Sequence, residues 1–272
     1  MPSNLILKGI GGHLVLIPAA ALLLLTGCRK PEIAANWTED PIVVDGDMQE
    51  WAGLWNTYLK DEKALLGLSN DGEKLYILLR FGERSWIYTF MTGHLTVWVD
   101  TQGRRNRDLG FRYSGGISLR DIMGGRGGSQ PGMPERPPRL EVILGDPERV
   151  RQIALDGSDG PEARAGMAEG ILTLELSIPL TGRTDDYFGV DVGPGDELSI
   201  GFELKLDREL LIQQLPQGGT TGRGGVPGRR GGMIGGGRMP GVGMGGGMAP
   251  GGVTAPSEQK IWIRTVLAGS EH

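Results

Sequence analysis

Strict alternation of apolar and polar residues in two late segments is the feature that most constrains the fold of this chain. Leucine, isoleucine or phenylalanine occupies every second position in segments 172–178 and 198–206. A period of two places the apolar side chains on one face of a β-strand and the others on the opposite face. Shorter strand candidates lie at 109–113, 139–144, 150–155 and 261–263, and no long segment has a helical period. The pattern predicts an all-β fold, a single antiparallel β-sandwich.

Three earlier segments extend this prediction. Apolar runs at 64–68 and 74–81 flank Asn70-Asp71-Gly72, which is a strong β-hairpin signal. The second run is apolar at nearly every position, as in a strand that is covered on both faces. Segment 95–100 ends in Asp100 and places Trp98 opposite its aliphatic positions.

A turn near the start of the predicted fold joins a β-branched run, 41–44, to an acidic and aromatic pair. Its structural residues are Asp45, Gly46, Glu50 and Trp51. Asp-Gly stops a strand in a tight turn, and the indole is available to cover the open end of a β-core. Asp45 and Asp47 are expected to cap the turn through their own backbone. With Glu50 they also offer three carboxylates, enough for a modest Ca²⁺ site; no other cofactor is expected.

This turn resembles the D-G-x-x-x-E-W signature that opens the family 9 carbohydrate-binding modules and their DOMON-like relatives. Leu75-Tyr76-Ile77 matches the L-Y-V strand of that family, and segment 95–100 matches its strand ending in Asp. The resemblance implies a β-sandwich over residues 37–267. In sugar-binding members two tryptophans sandwich the sugar. Trp86 stands in the place of one, but no tryptophan stands in the place of the other, between Leu206 and Ile261.

Candidate sugar-binding residues are therefore Trp86, Trp98 and Arg112. Indole rings stack on the C–H faces of sugars, and a guanidinium donates hydrogen bonds to hydroxyls. Trp98 and Trp262 either stand on an open sheet face or are covered by a loop, and the pattern leaves both arrangements open. Trp51 and Trp55 are interpreted as packing around the turn.

The first 27 residues are interpreted as a lipoprotein signal peptide. Lys8 precedes a short apolar run that ends in Leu25-Thr26-Gly27-Cys28, which looks like a bacterial lipobox. Cys28 is the single cysteine and the predicted lipidation site. Residues 28–36 then form a tether and 268–272 a tail. We expect a protein of the cell envelope that lipid anchors to a membrane. The outer membrane is the default, and the protein would face either the periplasm or the cell surface.

Two glycine-rich segments are unsuited to a packed core. They are 123–138 and 216–253, and the second contains 18 glycines among its 38 residues. Such composition predicts disordered loops inserted in the sandwich. Methionines 233, 239, 244 and 248 offer soft ligands for Cu(I), and arginines 223, 229, 230 and 238 offer contacts to lipid phosphates; the alternative is a low-complexity loop.

Other functional classes find little support in the sequence. The chain has a single cysteine, Cys28, and the predicted fold contains a single histidine, His94. These numbers exclude the usual zinc sets and a Cys-x-x-Cys-His haem site. No nucleotide fingerprint, nucleophile elbow or basic patch for nucleic acid is present. The leading hypothesis is non-catalytic glycan binding. The alternatives are an envelope scaffold that binds a protein and no small ligand, and a haem-binding DOMON-like domain that would use His94 or Met91.

Overall fold

The computed structural model describes residues 32–117, 136–145, 149–207 and 258–270. These residues form thirteen strands and one helix. The strands are β1 (Glu32–Ala34), β2 (Asn36–Trp37), β3 (Trp55–Leu59), β4 (Ala64–Asn70), β5 (Lys74–Phe81), β6 (Gly93–Asp100), β7 (Leu109–Ser114), β8 (Arg139–Leu144), β9 (Val150–Ile153), β10 (Glu162–Ala168), β11 (Ile171–Pro179), β12 (Glu197–Leu206) and β13 (Glu258–Val266). The helix, α1 (Arg84–Thr92), lies between β5 and β6.

Two sheets contain all of these strands. The seven-stranded sheet has the order β1-β13-β12-β6-β7-β8-β9, and the six-stranded sheet has the order β10-β11-β5-β4-β2, with β3 also paired to β4. The pairs are antiparallel except for two short N-terminal ones, β1 with β13 and β2 with β4. The prediction of an all-β antiparallel sandwich is confirmed.

The main core lies between the two sheets. Val97 and Phe202 enter it from the seven-stranded sheet, and Leu66 and Leu176 enter it from the six-stranded sheet. These inward positions are the ones that the period of two predicts. Removing so much apolar surface from water is the dominant favourable contribution to folding.

A second, smaller cluster covers the outside of the six-stranded sheet. Ile42 and Trp51 pack there on Tyr76 and Leu78 of β5. This cover explains why β5 is apolar at nearly every position. Segment 41–44 is not a strand, which corrects the prediction. It crosses the face of the sheet instead of lying at an edge, so its backbone has no neighbouring strand to pair with.

Helix α1 is an element that the sequence analysis missed. Trp86, Ile87 and Phe90 are buried, and their i, i+1, i+4 spacing is that of one helical face. Phe90 stacks on Tyr113 of β7 with ring centroids 5.9 Å apart. The helix therefore covers one end of the core where the chain passes from one sheet to the other.

The sandwich begins earlier than residue 37. Ile33 of β1 is buried, and β1 is a member of the seven-stranded sheet, so this part of the predicted 28–36 tether belongs to the fold. The predicted signal peptide, Cys28, all of 216–253 and most of 123–138 lie outside the described residues. Within the described ranges, no helix has the length and apolar character needed to cross a bilayer.

Candidate binding surfaces

Trp86, the first predicted sugar-binding residue, lies in the interior. Its side chain is 4% exposed, and its ring centroid is 5.5 Å from that of Phe81. The indole belongs to the buried face of α1. This placement corrects the prediction of a stacking platform, because the helix turns the ring toward the core and leaves no free face for a sugar.

Trp98 lies on the outer face of the seven-stranded sheet, as the alternation predicts, but it is covered. The ring lies over Gly110, where a Cβ atom would come within 2.7 Å of it. The Arg107 guanidinium stands 5.6 Å from the ring centroid, and Trp98 is 6% exposed. Of the two arrangements that the sequence left open, the covered one is present. Trp98 is therefore corrected from a sugar platform to a sheet-covering residue.

Glu203, next to this indole, is a buried carboxylate with several donors around it. It accepts hydrogen bonds from the indole Nε1 of Trp98 at 2.8 Å and from Arg107 at 3.2 Å, and it pairs with the Nζ of Lys205 at 2.5 Å. Burial acts to raise the pKa of Glu203, but its hydrogen bonds with Lys205, Glu258 and the Trp98 indole, the first being the largest, lower that pKa to about 2. Glu203 is thus an anion that positions Lys205.

Arg112, the third predicted residue, lines an open cleft of about 580 Å³ on the outer face of the seven-stranded sheet. It forms an ion pair with Glu141 of β8 at 3.3 Å, and both side chains are 27% exposed. The cleft also contains His94, at the start of β6. Arg112 is thus the one predicted sugar-binding residue that the structure places at an accessible surface, although that position does not itself show a ligand.

Two exposed aromatic side chains form a different surface on β3. Trp55 is 50% exposed and Tyr58 is 53% exposed. Trp55 pairs with Gly67 and Tyr58 with Leu65, and a β-bulge lies between them. Because Gly67 and Leu65 are two residues apart on β4, both aromatic side chains are on the outer face of the six-stranded sheet. This corrects the interpretation of Trp55 as a packing residue.

The bulge is fixed by Asn56, the extra residue. Its Nδ2 donates to the backbone oxygen of Ala34 at 2.8 Å, and its Oδ1 accepts from the backbone N–H of Leu68. The amide therefore joins β3 to one strand of each sheet. A regular strand would place residues 55 and 58 on opposite faces, so the period-two reading of the sequence missed this aromatic pair.

The turn at Asp45 has a structural role. Asp45 Oδ1 accepts the backbone N–H of Asp47 at 2.8 Å, which confirms that Asp45 caps the turn. The backbone N–H groups of Asp45 and Gly46 donate to Glu175 Oε2 at 3.0 and 2.7 Å, and the Trp51 indole donates to Glu175 Oε1 at 2.6 Å. The turn is therefore tied to β11, and Trp51 covers the outer face of the six-stranded sheet instead of the predicted open end of the core.

Among the described residues, no arrangement of side chains supports the calcium or the haem alternative. Asp47 Oδ1 caps the backbone of Met48, and in the described part of the chain no group of three or more acidic, histidine or cysteine side chains is arranged to hold a metal. Met91 packs against the main core, whereas His94 opens into the outer cleft. The two side chains do not share a site.

Comparisons with known proteins give distant structural similarities. No protein-family model matches the sequence, and no curated protein matches it. The chain is similar to a family 9 carbohydrate-binding module from Caldicellulosiruptor kristjanssonii in complex with cellotriose, at 12% identity and a TM-score of 0.34, over 66% of this chain and 79% of that one. The glucose complex gives 13% identity, a TM-score of 0.33, and 66% and 81% coverage.

A third similar structure is a Bacteroides uniformis protein proposed to bind carbohydrate. Its identity is 11% and its TM-score 0.37, over 66% of this chain and 85% of that one. The matched family 9 modules belong to the family that the sequence resembles.

Proposed function

We propose that this protein is a non-catalytic glycan-binding module of an exported lipoprotein, anchored to an envelope membrane through Cys28. The observation that carries the glycan proposal is the pair Trp55 and Tyr58. Large aromatic side chains are usually well buried in a folded domain, whereas these two are each about half exposed on one sheet face.

Two aromatic rings on the same face of a sheet suit the ring faces of a sugar chain. An indole or phenol contacts pyranose C–H groups through its apolar face and keeps a polar edge for hydroxyls. The hairpin turn that follows β3 adds Lys63, an exposed side chain with hydrogen-bond donors. Its Nζ forms an ion pair with Glu83 at 2.8 Å. The ligand class that this surface supports is a neutral oligo- or polysaccharide.

The test compares three variants of the full-length protein in a zwitterionic detergent that carries no sugar. Calorimetry and a glycan array are run on the unaltered protein, Trp55→Ala, Tyr58→Ala and the control Tyr88→Ala, which removes a 39% exposed aromatic from α1. We expect saturable binding of a neutral oligosaccharide that weakens about tenfold or more in the two β3 variants, or about 1.4 kcal/mol, and stays unchanged in the control.

Two results would reject the proposal. Absence of binding across the array would favour the alternative of an envelope scaffold, to be pursued by cross-linking to neighbouring proteins. Binding that persists in both β3 variants would show that a glycan binds elsewhere on the molecule. Trp86→Ala is a poor probe, because removal of a buried ring is expected to destabilise the core by about 3–5 kcal/mol.

A further inference from the structure

The outer cleft of the seven-stranded sheet is a second candidate site, distinct from the β3 surface. It lies where β7 and β12 end and where β6, β8 and β13 begin. Its volume of about 580 Å³ is in the range of pockets that enclose a small organic ligand. The charged side chains that line it are Arg112, Arg136, Arg139, Lys205, Glu141, Asp207 and Glu258.

The cations in this wall are only partly matched by carboxylates. Arg112 pairs with Glu141, and Lys205 lies 3.7 Å from Glu258 as well as close to Glu203. Arg136 donates to the backbone oxygen of Gly93 at 3.4 Å, and within the described ranges neither Arg136 nor Arg139 forms an ion pair with a carboxylate.

Arg112 also has hydrogen-bonding capacity that the protein does not use. Its Nε is buried and has no hydrogen-bond acceptor among the described residues. The Nε itself is closed to a ligand, but the Arg112 side chain is 27% exposed, and a planar guanidinium donates to a carboxylate or phosphate through several N–H groups at once. Arg112 stands opposite Thr96 on one neighbouring strand and opposite Glu141 on the other, which fixes its position in the wall.

His94 shows how the cleft's charges act on a group inside it. Burial, followed by the positive charges of Arg112 and Lys205, lowers the pKa of His94 to about 4, and the nearby Asp207 and Glu203 only partly oppose this effect. At neutral pH the imidazole is therefore uncharged and provides one donor and one acceptor. The net field at His94 is one that favours an anion.

We propose that this cleft binds a small anionic sugar, in which a carboxylate or phosphate contacts Arg112, Arg136 and Arg139 while the hydroxyls reach Glu141 and Glu258. Guanidinium groups recognise the oxyanion through paired N–H donors, and carboxylates accept hydrogen bonds from sugar hydroxyls. The proposal does not depend on the β3 surface, whose expected ligand is a neutral glycan.

The experiment measures binding to the full-length protein by calorimetry. The probes are D-glucuronate, glucose 6-phosphate, glucose and inorganic phosphate, at low ionic strength because salt screens exposed charges. The variants are Arg139→Gln and Arg136→Gln, with Arg183→Gln as the control, since that arginine is exposed on a loop outside the cleft. Trp55→Ala is included to separate the two sites.

We expect the two charged sugars to bind, glucose and inorganic phosphate to bind at least tenfold more weakly, and each cleft variant to lose about tenfold in affinity. Arg183→Gln and Trp55→Ala are expected to bind like the unaltered protein. Equal binding of glucose would overturn the requirement for an anion, and equal binding of inorganic phosphate would overturn recognition of the sugar. Loss in Trp55→Ala would move the site to β3.

A second readout locates the anion. A bound carboxylate favours the charged imidazole, so the NMR titration of His94 should move upward from about 4 when glucuronate is present. The affinity for glucuronate should rise as the pH falls from 7 toward 5. His94→Gln should abolish that rise and keep the glucuronate affinity that the unaltered protein has at pH 7. Binding without any change in the His94 titration would place the ligand elsewhere and overturn the assignment.

Discussion

Three tryptophans in this protein each lie against a strand glycine. A Cβ atom would come within 2.8 Å of the Trp51 ring at Gly67, within 2.7 Å of Trp98 at Gly110, and within 2.8 Å of Trp262 at Gly201. A large flat ring fits over a position that has no side chain, and it then covers the outer face of the sheet. These indoles therefore cover sheet faces, which the sequence pattern alone does not distinguish from ligand binding.

Gly110→Ala tests this arrangement. The added methyl group overlaps the Trp98 ring, so we expect a loss of about 1–3 kcal/mol in the free energy of unfolding. Urea denaturation measures it, and near-ultraviolet circular dichroism reports the shift of the indole. Gly193→Ala is the control, because the nearest atom to its Cβ is 4.0 Å away. Equal stability of the two variants would contradict the close fit of ring and glycine.

Glu175 is the residue whose ionisation should most clearly affect stability. Burial raises its pKa to about 7 from an ordinary value of 4.5, against the hydrogen bonds from Gly46, Trp51 and Asp45. A raised acid pKa means that the folded protein binds the proton more tightly than the unfolded chain does. The favourable contribution of Glu175 to the free energy of unfolding is thus complete below about pH 4.5. It is lost as the pH rises through about 7.

Glu175→Gln should remove this pH dependence. A glutamine accepts through one oxygen and turns an NH₂ group toward donors, so we also expect a loss of about 1–3 kcal/mol. The measurement is the difference in unfolding free energy between the variant and the unaltered protein from pH 4.5 to 8. We expect the loss to be largest at low pH and to shrink toward pH 8. A constant difference would show that Glu175 does not titrate in this range.

At the scale of secondary-structure elements, the bulge in β3 connects sequence to surface. Asn56 occupies the extra position and uses both ends of its amide on backbone groups, one in each sheet. The bulge would lose its fixed shape without this side chain. Trp55 and Tyr58 would then no longer be held on one face.

Asn56→Ala is expected to lower the unfolding free energy by about 1–3 kcal/mol, because the buried backbone N–H of Leu68 and the exposed backbone oxygen of Ala34 both lose their partner. It should also weaken any glycan binding by the β3 pair, although it removes no aromatic ring. Calorimetry and urea denaturation measure the two effects. The control is Asn106→Ala, which also removes a side-chain amide, but from a loop. Full glycan affinity in Asn56→Ala would contradict the role of the bulge in positioning the pair.

For the whole molecule, the two sheets are joined along one edge by the ends of the described chain. β1 pairs with the seven-stranded sheet and β2, two residues later, pairs with the six-stranded sheet. Asn70 of β4 exchanges two hydrogen bonds with Ala268, at 2.9 and 2.8 Å, across 198 residues of sequence. The first described residues, those of β1, lie at this edge.

A lipid anchor at Cys28, as we propose, would hold the sandwich close to the membrane. β1 begins four residues after Cys28, and four extended residues span at most about 14 Å. We expect Cys28→Ser to abolish incorporation of a radiolabelled fatty acid and to move the protein from the membrane fraction to the soluble fraction. The control is Ser3→Ala, because position 3 lies in the predicted signal peptide and outside the predicted lipobox. Unchanged labelling in Cys28→Ser would contradict lipid anchoring.

The strands could be predicted from the sequence because their signal is local. In β11 and β12 the alternation of single residues decides which side faces the core, and the β4–β5 hairpin follows from Asn70-Asp71-Gly72. Helix α1 was missed because it has only nine residues. In so short a segment the helical spacing of apolar positions occurs once, from Trp86 to Phe90. The binding prediction failed at Trp86 and Trp98 because exposure depends on what distant segments place over a ring.

The sequence by itself determined the fold class, the inward face of the main strands and the capped turn at Asp45, while the lipobox at Cys28 stays a prediction. Each depends on residues that are neighbours in the chain. Only the tertiary structure decided that Trp98 is covered by Arg107 and that Glu175 is tied to the Asp45 turn. It also decided that Trp55 and Tyr58 share an open face, and that Arg112, Arg136 and Arg139 meet in one cleft. Those relations join residues that the sequence separates, and they arise when strands pair, bulge and pack.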